Sequence, residues 1–172
     1  RTSATALETY AGCAFRYYAD RILKLRDPEE DFNARHAGTI RHHVLETFFK
    51  EQYQGPGSRV SSQKIEAFVE KEIKTALAAN PLIFEKRYQY PIALAELKDS
   101  LCEFLEAELK RLQTSQLQPR PDYLEISFGA GKNPKLPPLE MEIGGRKVRI
   151  TGIIDRIDVD EKGQYGLVVD YK

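Results

Sequence analysis

An α+β fold is predicted for this 172-residue chain by three features of its pattern. Apolar residues recur with helical spacing as far as about Leu112. They then alternate with charged residues from Leu139, and the glycine pair Gly144-Gly145 separates two of the alternating runs. Helices first and strands later indicate N-terminal helices packed on a mixed sheet. The length fits a single domain, mainly helical over 1–118 and sheet over 119–172.

From Ser3 to about Leu25 the chain reads as one helix or a pair of short ones, crowded with Tyr10, Phe15, Tyr17 and Tyr18. Those rings are expected to pack in a core rather than form a platform for bases. Asp27-Pro28 breaks the segment. A second helix is expected after Gly38, running to about Tyr53 on Ile40, Val44, Leu45, Phe48 and Phe49, until Gly55-Pro56-Gly57 stops it. His36 then falls in the preceding loop. A third helix, about Ser62 to Ala79, carries Ile65, Phe68, Val69, Ile73 and Leu77, and Asn80-Pro81 closes it. The fourth, about Ala93 to Leu112, has an apolar stripe at Leu94, Leu97, Leu101, Phe104, Leu105 and Leu112. Cys102 lies in that stripe and reads as core.

After Pro119 and Pro121 the pattern changes. Leu139, Met141 and Ile143 alternate with Glu140 and Glu142, and further strands are expected at about Lys147 to Val159 and Gln164 to Lys172, around the turn Asp160-Glu161-Lys162-Gly163. Two aspartates stand in apolar surroundings, Asp155 after Ile153-Ile154 and Asp170 after Leu167-Val168-Val169. Strands that apolar are expected to be buried on both faces. An unpaired buried carboxylate is costly, so each needs a cation or several donors. With Glu161 and Lys162 at the centre of the turn, Asp155 would pair opposite Val168, and Asp170 would sit diagonally across on the same face as Lys172. Two carboxylates and an ammonium sharing a face suit Mg²⁺ and phosphate, and hence phosphodiester hydrolysis, in which the ion polarises the phosphoryl oxygen and activates water.

His42 and His43 stand about 100° apart around the second helix. His42 borders the buried stripe at its Phe49 edge and is the better ligand candidate; His43 is expected to point mostly to solvent.

Composition narrows the function classes. With 41% hydrophobic and 30% charged residues the chain has an ordinary globular make-up, and no run is long and apolar enough for a membrane span. No secretory leader is seen, so a cytoplasmic setting is expected. Lysine plus arginine equals aspartate plus glutamate at 26 each, so net charge gives no footprint for nucleic acid and any grip on it must be local. Cys13 and Cys102 cannot build a disulfide framework. The chain begins at Arg1 and stops at Asp170-Tyr171-Lys172, which reads as a piece of a longer polypeptide, truncated after the lysine strand.

Gly38-Thr39-Ile40-Arg41-His42, Gly152-Ile153-Ile154-Asp155-Arg156-Ile157-Asp158 and Val169-Asp170-Tyr171-Lys172 occur in that order. The set resembles the RecB-type branch of the PD-(D/E)XK nuclease superfamily, with its restriction-endonuclease-like α/β core. The resemblance implies a site of His42, Asp155, Asp170 and Lys172. His42 and the two aspartates would be ligands to Mg²⁺ or Mn²⁺, Tyr171 would add its main-chain carbonyl, and Lys172 would be the catalytic lysine. The opening from Leu7 to Tyr18 is similar to that of AddB-type nuclease domains, where a cysteine in the position of Cys13 joins three cysteines beyond the core to hold a [4Fe-4S] cluster. Ala14 replaces the proline common in that family. Pro121 to Glu125, with Ser127-Phe128-Gly129, resembles the strand before the hairpin and gives Glu125 a site-adjacent place.

By that resemblance the parent would be a bacterial AddB-like subunit that works with an AddA-like partner. It would cut single-stranded DNA during double-strand-break repair. A Cas4-like or phage recombination exonuclease is the alternative of the same chemistry, and an inactive nuclease-like domain that binds DNA or scaffolds a partner is the alternative of another class. Arg149 and Arg156, with Arg146 and Lys147, flank the site and serve either as phosphate contacts or as solvated strand faces. These 172 residues alone are expected to cut weakly or not at all, because the family's next helix and the three cysteines lie outside them.

Overall fold

The computed structural model describes residues 2–25, 34–79, 91–129 and 134–171. Its chain divides into two compact units, one formed by Arg1–Glu30 with Glu125–Ile154 and the other by Asp31–Leu124 with Asp155–Lys172. Strands β2 (Gln118–Phe128) and β4 (Arg146–Val159) run through both.

The first unit opens with β1 (Thr2–Ser3) and α1 (Ala4–Gly12). The Ser3 Oγ caps α1 by accepting from the Ala6 N–H at 3.1 Å, as short hydroxyl side chains do at helix starts. Cys13 then adopts an extended conformation and interrupts the helix, while its Sγ accepts from the Arg16 N–H at the start of α2 (Ala14–Tyr17). A π-helical turn, Tyr18–Ile22, follows. The reading of two short helices was the right one of the two. The expected core packing of the aromatics is not found, since Phe15 is 75% exposed and Tyr10 59%. Helices of nine and four residues turn few side chains inward, and Tyr10 meets Tyr17 edge-on instead.

Strand β4 pairs with β1 in parallel at Thr2↔Ile150 and with β3 (Leu139–Ile143) in antiparallel fashion, from Leu139↔Ile150 to Ile143↔Arg146. The sheet is therefore mixed, as expected. Gly144 and Gly145 take φ of +56° and +73°, the left-handed pair that a two-residue hairpin turn requires. Gly129 is more constrained. It has φ +60°, and a Cβ there would stand 2.5 Å from the Pro138 Cβ and 2.8 Å from the Thr151 Cγ2. Gly129→Ala is expected to destabilise this unit by about 2 kcal/mol, through both strain and overlap. Chemical denaturation checks this, and an unchanged midpoint would refute it.

The second unit contains α3 (Ala34–Glu51), α4 (Ser62–Ala79) and α5 (Pro91–Thr114). Their facing stripes form a core around Val44, Phe48, Val69, Leu101 and Leu105, joined by Leu124 of β2 and by Tyr171. The predicted third helix matches α4 end to end, and α5 is two residues longer than predicted at each end. Cys102 is partly buried against the core, in keeping with its place in the stripe. Helix α3 starts earlier than predicted, so Gly38 and His36 are helical rather than a boundary and a loop. A helix-interior glycine costs only about 1 kcal/mol, and Ala37 packs against the core one turn before the stripe proper. Asp27-Pro28 and Asn80-Pro81 lie outside the described residues.

Strand β5 (Gly166–Val169) returns antiparallel to β4 with Val159↔Gly166 and Arg156↔Val169. The loop before it is longer than a two-residue turn. Asp160 and Tyr165 close it, through the Asp160 N–H to the Tyr165 carbonyl at 3.1 Å and the Tyr165 N–H to Asp160 Oδ1 at 2.7 Å. This moves the register by two residues from the predicted one. Continued past Val169, it sets Asp155 opposite Asp170 itself rather than opposite Val168. Because the strand period is two, the shift leaves both aspartates on one face. The expected burial of both strand faces is met around Asp155, where Asp155, Arg156, Asp158 and Val159 are all buried, but not on β5, where Leu167 is 44% and Val168 61% exposed. On β5, packing is confined to the Val169 end, which touches the helical core. Among the described residues no helix is long and apolar enough to cross a membrane.

Candidate active site

Helix α3, strand β4 and the end of β5 bring His42, Asp155, Asp170 and Tyr171 together in the second unit. His42 stands on the edge of the α3 stripe, two turns before the buried Phe49, and its Nδ1 lies 3.6 Å from Asp155 Oδ1. Asp155 is nearly closed off, at 9% exposure. Its Oδ2 accepts from the Tyr171 main-chain N–H at 2.7 Å. The Tyr171 ring is buried and meets His42 edge-on, with centroids 6.0 Å apart.

The charge state of Asp155 reflects this environment. Burial pushes its carboxyl above the ordinary range, and the neighbouring Asp170 carboxylate pushes it further up. The Tyr171 N–H and His42 pull the other way without cancelling the rise. A desolvated carboxylate facing a second one forms a place where a cation is favoured. Carboxylate oxygens suit Mg²⁺ and Mn²⁺, and imidazole nitrogen is a ligand of divalent transition metals, so the residues present fit a divalent metal. A cavity of about 150 Å³ adjoins Asp170 and Tyr171, lined also by Arg41, Ser100 and Phe104.

Other sequence candidates are placed as follows. Lys172 lies outside the described residues. Cys13 is exposed at the junction of α1 and α2 in the first unit. Arg149, also in the first unit, is exposed and pairs with Glu140 at 2.7 Å. Glu125 has φ +47°, a left-handed backbone uncommon outside glycine and found often at functional positions.

Two readings are corrected. Arg156 has no exposed surface, so it does not serve as a DNA contact in this fold; β4 is covered on both faces here, with Asp155 and Arg156 both buried. His43 does not simply point to solvent. Its Nε2 lies 3.1 Å from Oε2 of the buried Glu72 on α4, and Lys71 pairs with the other oxygen of that carboxylate.

Sequence reasoning missed the group around Arg156. Glu108, Arg111, Arg156 and Asp158 form one ion cluster, with Arg111 2.7 Å from both Glu108 and Asp158. Burial would raise the Glu108 carboxyl, but the guanidiniums of Arg111 and Arg156 hold it below its ordinary value. A signal was available: Arg156 and Asp158 share one strand face, and Glu108 and Arg111 are spaced i,i+3 on a helix.

Comparison with known proteins gives the chain's family. A family model described as PD-(D/E)XK nuclease superfamily matches residues 1–172. The chain is 31% identical to the B subunit of the ATP-dependent helicase/deoxyribonuclease of Clostridioides difficile (strain 630), over 99% of this chain and 15% of that protein. It is 30% identical to the protein of the same name from Moorella thermoacetica, over 100% of this chain and 15% of that one. The Exiguobacterium sibiricum protein of that name is 28% identical, again over 100% and 15%. The chain thus spans about 15% of the length of the curated relatives it matches.

Proposed function

The chain belongs to the PD-(D/E)XK nuclease superfamily, and from that membership we propose that it is the nuclease domain of an AddB-like helicase-nuclease subunit, hydrolysing phosphodiester bonds of single-stranded DNA. The observation that carries the reading is the pairing of Asp155 with Asp170 beside His42, with Asp155 buried and its proton affinity raised. Structural ion pairs normally join opposite charges. Here two like charges face each other, which serves a metal site and works against stability.

In this reading Asp155, Asp170 and His42 hold Mg²⁺ or Mn²⁺, and the Tyr171 carbonyl completes the protein's share. The bound ion supplies Lewis-acid stabilisation of charge on the phosphoryl oxygens. The chain's own groups do the rest. The Tyr171 N–H fixes the rotation of the Asp155 carboxylate, and the burial of Asp155 keeps water from competing for it. Lys172 orients the attacking water and takes up its proton or offsets developing charge. Arg41 gives the cavity beside Asp170 a cation suited to phosphate.

The wider assignment follows the same reading: a cytoplasmic bacterial protein, an AddA-like partner subunit, and double-strand-break repair. A [4Fe-4S] cluster needs four thiolates, and the sequence holds two cysteines. Cys13, exposed in the first unit, would contribute one ligand, with the other three outside these residues. The relatives' names favour this assignment over the Cas4-like and phage exonuclease alternatives.

The test uses the full-length protein with its partner subunit and end-labelled single-stranded DNA. Cutting is expected to require Mg²⁺ or Mn²⁺, to stop on chelation, and to be lost in Asp170→Ala with helicase activity retained. Equal cutting by wild type and variant would sink the enzyme reading and leave a nuclease-like binding domain.

A further inference from the structure

Consecutive residues of β4 grip the two ends of Tyr171. Asp155 accepts from its main-chain N–H, and Arg156 reaches its phenol oxygen, with the Arg156 Nη1 donating at 3.2 Å. The Arg156 guanidinium also lies 5.7 Å from the Tyr171 ring centroid and 4.5 Å from that of Phe49. It is held in its own place by Asp158, with Nε 2.7 Å from Oδ1 and Nη2 3.0 Å from Oδ2, and by Glu108. A planar fork whose two terminal nitrogens donate to Tyr171, Asp158 and Glu108, with its Nε in ion-pair contact with Asp158, has little freedom to rotate.

We infer that Arg156 is a positioning residue for the metal site: by fixing the Tyr171 side chain it fixes the main chain between Asp170 and Tyr171, and with it the Asp155 carboxylate. This rests on the metal-site reading given above. The contacts favour a positioning role over a general contribution to stability because the ion cluster could close without Tyr171. Arg111 already bridges Glu108 and Asp158. Arg156 is the cluster member whose bonds run on to Tyr171, and the Tyr171 N–H is bonded to Asp155. Outer partners that orient metal ligands typically account for about 10- to 100-fold in metal affinity.

The experiment compares Arg156→Lys with Arg111→Gln in the full-length protein with its partner. Mn²⁺ binding is followed by loss of the free-ion paramagnetic resonance signal, and Asp170→Ala defines the uptake due to this site. Both arginine variants weaken the ion cluster, so both are expected to melt earlier. Arg156→Lys, which keeps the charge but loses the fork, is expected to bind Mn²⁺ about 10-fold more weakly. Arg111→Gln is expected to bind it as the wild type does.

Equal Mn²⁺ affinity in the two arginine variants would overturn the inference. No difference between wild type and Asp170→Ala would overturn the metal-site reading beneath it, so the two failures are distinguishable. Should Arg156→Lys not fold, Tyr171→Phe carries the test, because it deletes only the hydroxyl that Arg156 holds. It is expected to weaken Mn²⁺ binding about threefold, and unchanged affinity in that variant would equally overturn the inference.

Discussion

Asp155→Asn is expected to lower DNA cleavage by roughly a thousand-fold or more while making the metal-free protein more stable. The loss follows from removing a charged ligand of the proposed metal site. Charge stabilisation by a bound divalent ion is worth several kcal/mol, and roughly 4 kcal/mol corresponds to about three decades in rate. The gain follows from the same burial. Asn keeps an oxygen that can accept the Tyr171 N–H, yet has no charge to desolvate and none to oppose Asp170.

The pH dependence has a definite sign. A carboxyl whose folded-state pKa stands above its unfolded value favours the folded state while protonated, and this contribution is lost as pH rises from the unfolded value past the folded one. The wild type is therefore penalised at neutral pH but not in acid. The variant's gain, about 1 kcal/mol, should be full at neutral pH and fade as pH falls through the carboxylate range. Thermal melts in chelator at several pH values measure it, and a variant no more stable than wild type at pH 7 would show that Asp155 is not under this penalty.

Legibility in the sequence followed the range of the forces involved. Helix α4 and the Gly144-Gly145 turn could be read closely because local pattern decides them: an apolar stripe with a clear stop in one case, and a backbone needing positive φ twice in the other. The hairpin register was off by two because an Asx-type contact at Asp160 extends the loop, and the pattern of alternation is blind to any even shift. For the same reason the faces of Asp155 and Asp170 came out correctly. Arg156 was misplaced because charge was taken to mean exposure. Its partners Glu108 and Asp158 are 48 residues away and two residues away, and the more distant could not be paired with it from sequence. His43 was assigned to solvent for want of Glu72, 29 residues on. Lys172 is legible as a motif residue alone.

Asp158→Ala is expected to have the opposite effect on stability to Asp155→Asn, although the two residues lie three apart on the same strand. Asp158 is wholly buried. Its Oδ2 accepts from Arg111 at 2.7 Å and from Arg156 at 3.0 Å, and its Oδ1 lies 2.7 Å from the Arg156 Nε. Removing it leaves two guanidiniums sharing Glu108, and Arg156 has no route to solvent. Breaking a buried ion pair from one side costs about 3–5 kcal/mol, because the remaining charge is stranded. Chemical denaturation should show a loss of that size, with cleavage at low temperature reduced far less than in Asp155→Asn. A second readout is the Tyr53 hydroxyl. Burial and then the Asp158 charge push the Tyr53 hydroxyl up to about 12, so its titration should move down in the variant. A stability change within about 1 kcal/mol of wild type would mean that the cluster relaxes around the loss and that Asp158 is not what holds Arg156 in place.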